Sequence, residues 1–296
     1  MTEPYPFETD GAEPRLFENL FLSIGAMKAG TTWLYAVLSR HPELHFSLEK
    51  EVHYFYHRFV DHEQLNAPFR LHNARNRYIL RFDPQKANIA RVRENLRWVS
   101  AYLDGPVDDI WYRNLFNLLK SHTYACDFSN LTAHIPAEAW PHVLGMCSRL
   151  KVLYTMRDPV KRLWSHTKFH LQVTNQLEKL DEWTPEEFDE FVRKPFIWDN
   201  AEYGAVLRRI GVLPEEARMV IFYEDIHKDQ VALLRRIEDF LGISHFDYPE
   251  QVLDRRYAES ERREMPEFFP SLFADDIARI RAEVAAEGYA IPETWG

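Results

Sequence analysis

Residues 21–38, FLSIGAMKAGTTWLYAVL, constrain the fold more than any other stretch of the chain. Phe21 to Gly25 is a short apolar run that suits a buried strand. From Thr31 onward, Leu34, Val37 and Leu38 recur at the i, i+3, i+4 spacing of a helix. Between them lies the turn Gly25-Ala26-Met27-Lys28-Ala29-Gly30-Thr31-Thr32. A strand, a glycine-bearing turn and a helix start, in that order, make an anion cradle. The first helical N–H groups have no intrahelical partner, and the helix dipole favours negative charge beside them. Gly30 lets the backbone come close to the anion, Thr31 and Thr32 add hydroxyl donors, and Lys28 adds a mobile positive charge. The alternative is a strand-turn-helix that binds nothing.

The order of the residues narrows the ligand. A Walker loop reads G-x-x-x-x-G-K-[ST], with its lysine directly after the second glycine. Gly25 and Gly30 keep that spacing, but Thr31 stands where the lysine belongs and the lysine lies further back, at Lys28. This argues against ordinary ATP or GTP chemistry. The arrangement K-x-G-T-T-x-L, Lys28 to Leu34, resembles the loop with which sulfotransferases hold the 5′-phosphosulfate of 3′-phosphoadenylyl sulfate (PAPS).

A second constellation follows the most apolar strand candidate, Leu150 to Met156. It reads Arg157-Asp158-Pro159-Val160-Lys161-Arg162-Leu163-Trp164-Ser165. Arg157 stands at the strand's carboxyl end, and Arg162 and Ser165 are three apart on the helix that Asp158 and Pro159 open. An arginine and a serine converging from these positions suit a phosphate. An arginine paired with a carboxylate and a serine on a helix surface is the other reading. The pattern R-D-P-x-x-R-x-x-S resembles the sulfotransferase grip on the 3′-phosphate of PAPS. With both motifs present, the chain resembles that family over roughly residues 20 to 245.

The resemblance implies further roles. Lys28, Ala29, Gly30, Thr31 and Thr32 would hold the 5′-phosphate, and Arg157 and Ser165 the 3′-phosphate. Trp33 and Tyr203, the latter in Glu202-Tyr203-Gly204-Ala205, would contact adenine as in the cytosolic members. Lys28 would also serve catalysis by following the bridging oxygen. The segment Glu51-Val52-His53-Tyr54-Phe55 resembles the E-V-H-F-F of heparan-type enzymes, in which the glutamate is the proposed base. Glu51 is therefore the first candidate base, with His53 as orienting group or rival base. If the segment is extended, the two share one face. Phe222 to Ile226 and the helix ending Phe240-Leu241-Gly242 resemble a late structural strand and helix of the family. Two departures stand out. The late R-K-G segment of the cytosolic enzymes is absent, with Arg255, Arg256, Arg262 and Arg263 as the nearest cations. Asp127-Phe128-Ser129-Asn130 lacks the lysine that the heparan branch carries there.

Outside the motifs, short apolar strands alternate with amphipathic helices. This predicts one α/β domain over residues 1–296, with a central parallel sheet, helices on both faces and the P-loop-like sulfotransferase fold that the resemblance implies. Residues 1–19 are read as a surface arm, since they lack the basic start and apolar core of a signal peptide. Residues 43–47, 124–128 and 219–223 are further strand candidates. Helices are expected at 83–103, 107–120, 136–147, 185–193, 200–210, 231–241 and 272–286, and an irregular stretch at 56–82.

Composition bounds the partners. A net charge of −10 argues against a nucleic-acid binder but permits a local basic pocket. No segment is apolar for long enough to cross a membrane. Cys126 and Cys147 form no metal-binding pair and are expected reduced and buried, as in the cytoplasm. No metal is expected. The activity expected is sulfuryl transfer from PAPS, leaving PAP, to a hydroxyl or amine of a glycan, lipid or small molecule, with the Glu51 segment inclining toward a carbohydrate. A nucleotide kinase or hydrolase and a non-catalytic PAP-binding protein are the competing classes.

Overall fold

The computed structural model describes residues 15–295 apart from 80–82, 84, 118–121, 256 and 258–260. Its centre is a parallel sheet of β1 (Phe17–Ser23), β2 (Leu44–Phe46), β3 (Tyr124–Phe128), β4 (Cys147–Met156) and β5 (Arg218–Phe222), in the order β2-β3-β1-β4-β5. Every strand falls where an apolar run predicts one. The first begins earlier than expected, so Phe17 to Asn19 of the presumed arm are sheet residues, and residues 1–14 lie outside the described part.

Alternate residues of each strand point to opposite faces. Leu20 and Leu22 of β1, Ala125 of β3, and Val152 and Tyr154 of β4 enter one core. Phe21, Cys126, Phe128 and Leu153 enter the other. The second core is closed by α1 (Thr31–Leu38), through Trp33, Leu34, Val37 and Leu38, and by helix Gln230–Leu241, which ends on Gly242 at φ 67°. The first core takes the larger helical layer.

That layer holds two differences from the sequence reading. The stretch expected to be irregular contains α2 (Tyr54–Phe59), α3 (Ala67–Ala74) and one π-helical turn, Arg75–Ile79. Asn66 caps α3 by accepting from the Phe69 amide (2.9 Å). The apolar period is hidden because α3 buries only Arg70 and the small Ala74, and the Arg70 guanidinium donates to the carbonyls of Leu65, Tyr102 and Asp104. The second difference concerns the next two helices. α4 (Ile89–Leu103) starts at the Asn88 cap and α5 (Asp109–Asn114) at the Asp108 cap, each later than periodicity alone suggests. Pro84 lies outside the described residues.

α6 (Trp140–Gly145) precedes β4, and α7 (Pro159–Val173) follows it. Chain direction diverges at the middle of the sheet. β1 leads through α1 toward β2 on one side, and β4 leads through α7 toward β5 on the other. The crevice above the carboxyl ends of β1 and β4 is therefore a topological switch point, where open α/β sheets bind ligands.

Candidate active site

The turn after β1 is tied to the end of β4. Thr155 donates to the Gly25 carbonyl (2.8 Å), and Ala26 donates to the Thr155 carbonyl (2.7 Å). The turn then folds on itself, with the Ala29 amide donating to the Ala26 carbonyl (3.2 Å). Ala29 is thus enclosed and shapes the turn, so the cradle's outward donors begin after it. Gly30 precedes α1 at φ 87°, a conformation that L side chains rarely adopt. A Cβ there would also meet Ile226 at 2.7 Å and Tyr223 at 2.8 Å. Glycine at position 30 is required both by the turn and by this packing. Thr31 is buried and Thr32 half-buried at the start of α1.

Four cations converge on this turn. The Lys28 ammonium sits over the Phe169 ring (4.3 Å to its centre). Its pKa is pushed down to about 8, first by burial and then by Arg157, Lys168 and Lys50. Mutual repulsion of this kind is relieved by a multivalent anion. The Arg157 guanidinium donates to the Lys28 carbonyl (3.0 Å) and lies over the Tyr223 ring (4.4 Å), while its buried Nε has no hydrogen-bond partner among the described residues. Lys168 donates to the carbonyls of Glu261 (3.1 Å) and Arg263 (3.4 Å).

The residues around Arg157 take different parts. Asp158 caps α7 by accepting from the amides of Val160 and Lys161, and Glu224 accepts from the Asp158 amide (3.1 Å). Ser165 is half-buried on α7. Arg162, in contrast, points into the core, where it donates to the Ile197 carbonyl (2.8 Å) and contacts His166 Nδ1 (3.1 Å). It does not share the Ser165 environment. Tyr203 is wholly enclosed, with its ring against Tyr154 and Trp295, and its hydroxyl donates to the Arg157 carbonyl (2.7 Å). In this geometry it braces the strand end and offers no open face to an adenine. Trp33 is likewise in the α1 core, its indole N–H donating to the Leu253 carbonyl (3.0 Å). Of the late arginines, Arg263 is forked onto Asp181, Arg255 lies over Tyr257, Arg262 is exposed and Arg256 is outside the described residues.

On the β3 side, residues 51–53 are not a strand. His53 takes a left-handed conformation (φ 60°, ψ 25°) immediately before α2. The pair nevertheless meets, with His53 Nε2 at 3.9 Å from Glu51 Oε2. Glu51 accepts from the Asn130 amide (3.0 Å) and is ion-paired with Lys50. The His53 pKa is lowered, by burial first and further by Lys50 and Arg77, with Glu51 opposing, so the imidazole is held neutral. The cradle adjoins this pair, because a Cβ on Gly25 would lie 3.4 Å from the Asn130 carbonyl.

Sequence reasoning missed Lys50, Lys168 and Asn130. Lys50 adjoins Glu51, and Lys168 lies one helical turn beyond Ser165, a spacing that marks a shared face. Asn130 contributes a main-chain amide, for which sequence carries no signal.

The sequence profile of the sulfotransferase family matches residues 21–247. No curated protein matches the chain in sequence. Among solved structures, a sulfotransferase from Alicyclobacillus acidocaldarius superposes with a TM-score of 0.62 at 22% identity, covering 94% of this chain and 98% of that one. The sulfotransferase domain of the Synechococcus PCC 7002 olefin synthase gives 0.53 at 18% identity over 95% and 98% of the two chains. The sulfotransferase domain from the curacin biosynthetic pathway gives 0.54 at 17% identity over 94% and 100%. Identities at this level speak for the fold, which is the P-loop-like α/β fold read from the motifs.

Proposed function

The chain belongs to the sulfotransferase family, and from that premise we propose that it transfers the sulfuryl group of PAPS to a hydroxyl or amine of a carbohydrate, lipid or small-molecule acceptor. The observation that carries the donor assignment is the hydrogen bond from Arg157 to the Lys28 carbonyl, which joins two cationic sites in one crevice. A donor with phosphates at both its 5′ and 3′ ends requires two such sites. The residues fit it by charge as well, since Lys28, Lys50, Arg157 and Lys168 otherwise repel one another. The enclosed Trp33 and Tyr203 leave the adenine contacts to other groups.

PAPS supplies an activated sulfuryl group whose transfer breaks the bond from sulfur to the 5′-phosphate oxygen. The α1 start and the Thr31 and Thr32 hydroxyls would hold the 5′-phosphate. Lys28 would neutralise charge on the leaving oxygen. Arg157 and Ser165 would hold the 3′-phosphate. As the acceptor oxygen bonds to sulfur, its proton passes to the Glu51 carboxylate, which the Asn130 amide orients. A neutral His53 is placed to contact the acceptor or to take the proton itself.

Thermal denaturation with nucleotides tests the donor. PAP should raise the melting temperature well above the effect of AMP or ATP, and equal stabilisation by AMP would remove the case for a 3′-phosphate site. A screen of hydroxyl and amine acceptors with sulfur-labelled PAPS then tests transfer and identifies the acceptor class.

A further inference from the structure

The end of β3 is built around a buried acid. Asp127 is 2% exposed. It accepts from the Ser129 hydroxyl at Oδ1 (2.6 Å) and from the Tyr112 hydroxyl of α5 at Oδ2 (2.9 Å). Ser129, itself buried, accepts from the His53 amide (2.9 Å). The next residue, Asn130, donates its amide to Glu51. Ser129 and Asn130 of one strand end therefore reach the two members of the Glu51–His53 pair, and Asp127 is joined to them through Ser129.

Two features call for an explanation beyond packing. A left-handed conformation at His53 carries a steric cost and persists only where its surroundings hold it. A carboxyl in this interior is costly to ionise, and neutral hydroxyls are its direct partners here; an asparagine would serve packing alone. The charged groups facing Asp127 are Glu51 and Lys50, from the segment before α2.

We propose that Asp127 is a positioning residue for the acceptor side of the site: through the Ser129 hydroxyl it fixes the turn at His53, and with it the point where the His53 ring meets the Glu51 carboxylate. The proposal rests on the reading of Glu51 and His53 as the acceptor-side pair. An ionised Asp127 can only accept hydrogen bonds. It turns the Ser129 hydrogen toward itself and leaves the serine lone pairs to the His53 amide. A protonated Asp127 must itself donate, and its nearest acceptor is the same serine oxygen. Burial, with Glu51 assisting, pushes the Asp127 pKa up to about 7, which brings this exchange into the neutral range.

The test uses Ser129→Ala, Asp127→Ala, Asp127→Asn and Tyr112→Phe on the hydroxyl acceptor with the highest turnover in the labelled-donor screen, with PAP titrated against each. Ser129→Ala and Asp127→Ala should lose about tenfold or more in kcat while PAP affinity stays within about twofold. Asp127→Asn should fall between them and the parent, because its amide oxygen still accepts from Ser129. Tyr112→Phe removes the other hydrogen bond of the same acid and should keep kcat. A readout independent of turnover is the ring signal of His53 in a carbon-13 histidine-labelled PAP complex. It should inflect near pH 7 in the parent and lose that inflection in Asp127→Asn. Near-parental kcat in a folded Ser129→Ala overturns the proposal, and so does an equal loss in Tyr112→Phe. If Asp127→Ala does not fold, Ser129→Ala and the His53 signal decide. Full turnover in both Glu51→Gln and His53→Ala would instead overturn the acceptor-side reading beneath the proposal, and the ring signal would still report whether Asp127 acts on His53.

Discussion

The Arg157 guanidinium donates to the main-chain carbonyl of Lys28 at 3.0 Å, so the strand end that would grip one phosphate also props the turn that would grip the other. Arg157→Ala should therefore do more than remove a charge. PAP affinity should drop by about tenfold or more, and adenosine 5′-phosphosulfate, which lacks the 3′-phosphate, should lose less but still a measurable amount. Calorimetric titration of both ligands against parent and variant checks this. An unchanged affinity for the phosphosulfate would mean that the two grips are mechanically separate.

Binding of the donor should be linked to a proton. Lys28 has a pKa of about 8, lowered by burial and its cationic neighbours. Below that pH it is charged already, and an arriving anion finds its partner ready. Above it, each bound PAP must bring a proton to Lys28. PAP affinity should fall with rising pH above about 8, by up to about tenfold per unit. Titration at pH 8.5 in buffers of different ionisation enthalpy should show proton uptake, and Lys28→Met should abolish it.

Glu51 and Lys28 should separate chemistry from binding. Glu51→Gln keeps shape and can still accept from the Asn130 amide but takes no proton, so turnover should fall by about 10²-fold or more with PAP affinity nearly unchanged. Lys28→Ala should lower turnover and PAP affinity together. Steady-state rates on one hydroxyl acceptor, beside PAP titrations, check both. A collapse in His53→Ala with near-parental Glu51→Gln would move the base to His53.

Gly30→Ala should be costly although it removes no side chain. The new methyl needs both a left-handed backbone and space that Ile226 and Tyr223 occupy. Loss of roughly 1–3 kcal/mol is expected from the backbone conformation alone. Denaturant unfolding of the variant measures it, and weakened PAP binding should accompany the loss.

Asp127 should leave a mark on stability as well. Its carboxyl is raised from 3.8 to about 7 in the native state, so between about pH 4 and 7 the folded chain holds a proton that the unfolded chain has released. This group's contribution to stability therefore falls as pH rises through that window and is level above it. Asp127→Asn should remove that slope and gain stability relative to the parent at pH 8. Urea unfolding at pH 5, 6 and 8 provides the comparison.

The sheet was legible because each strand is a short apolar run closed by turn residues, and Lys28 and Arg157 could be singled out as candidates because they sit at fixed offsets from glycine or proline. What sequence could not convey is which way a side chain turns. Arg162 and Ser165 look alike in the motif, yet one enters the core and the other stays half-buried. Trp33 and Tyr203 are aromatic neighbours of the motifs, but packing encloses them. The Glu51–His53 pair meets through a left-handed turn, not through the alternation of an extended strand. α3 escaped notice because its large buried side chain is an arginine, satisfied by carbonyls of the preceding loop and of the end of α4.

β1 lies between β3 and β4, with Leu20 in register with Ala125 on one side and Leu150 on the other. β1 therefore gains its second neighbour only when β4, far downstream in the chain, has been made. At synthesis rates of about 5–20 residues per second, it waits on the order of ten seconds for its second neighbour. Through that interval Leu20, Phe21 and Leu22 are an unpaired apolar edge, and the turn that follows has nothing to close against. A nascent chain ending before residue 147 should therefore bind chaperones and not PAP, and pairing over so long a separation should make β4 docking the slow step of folding.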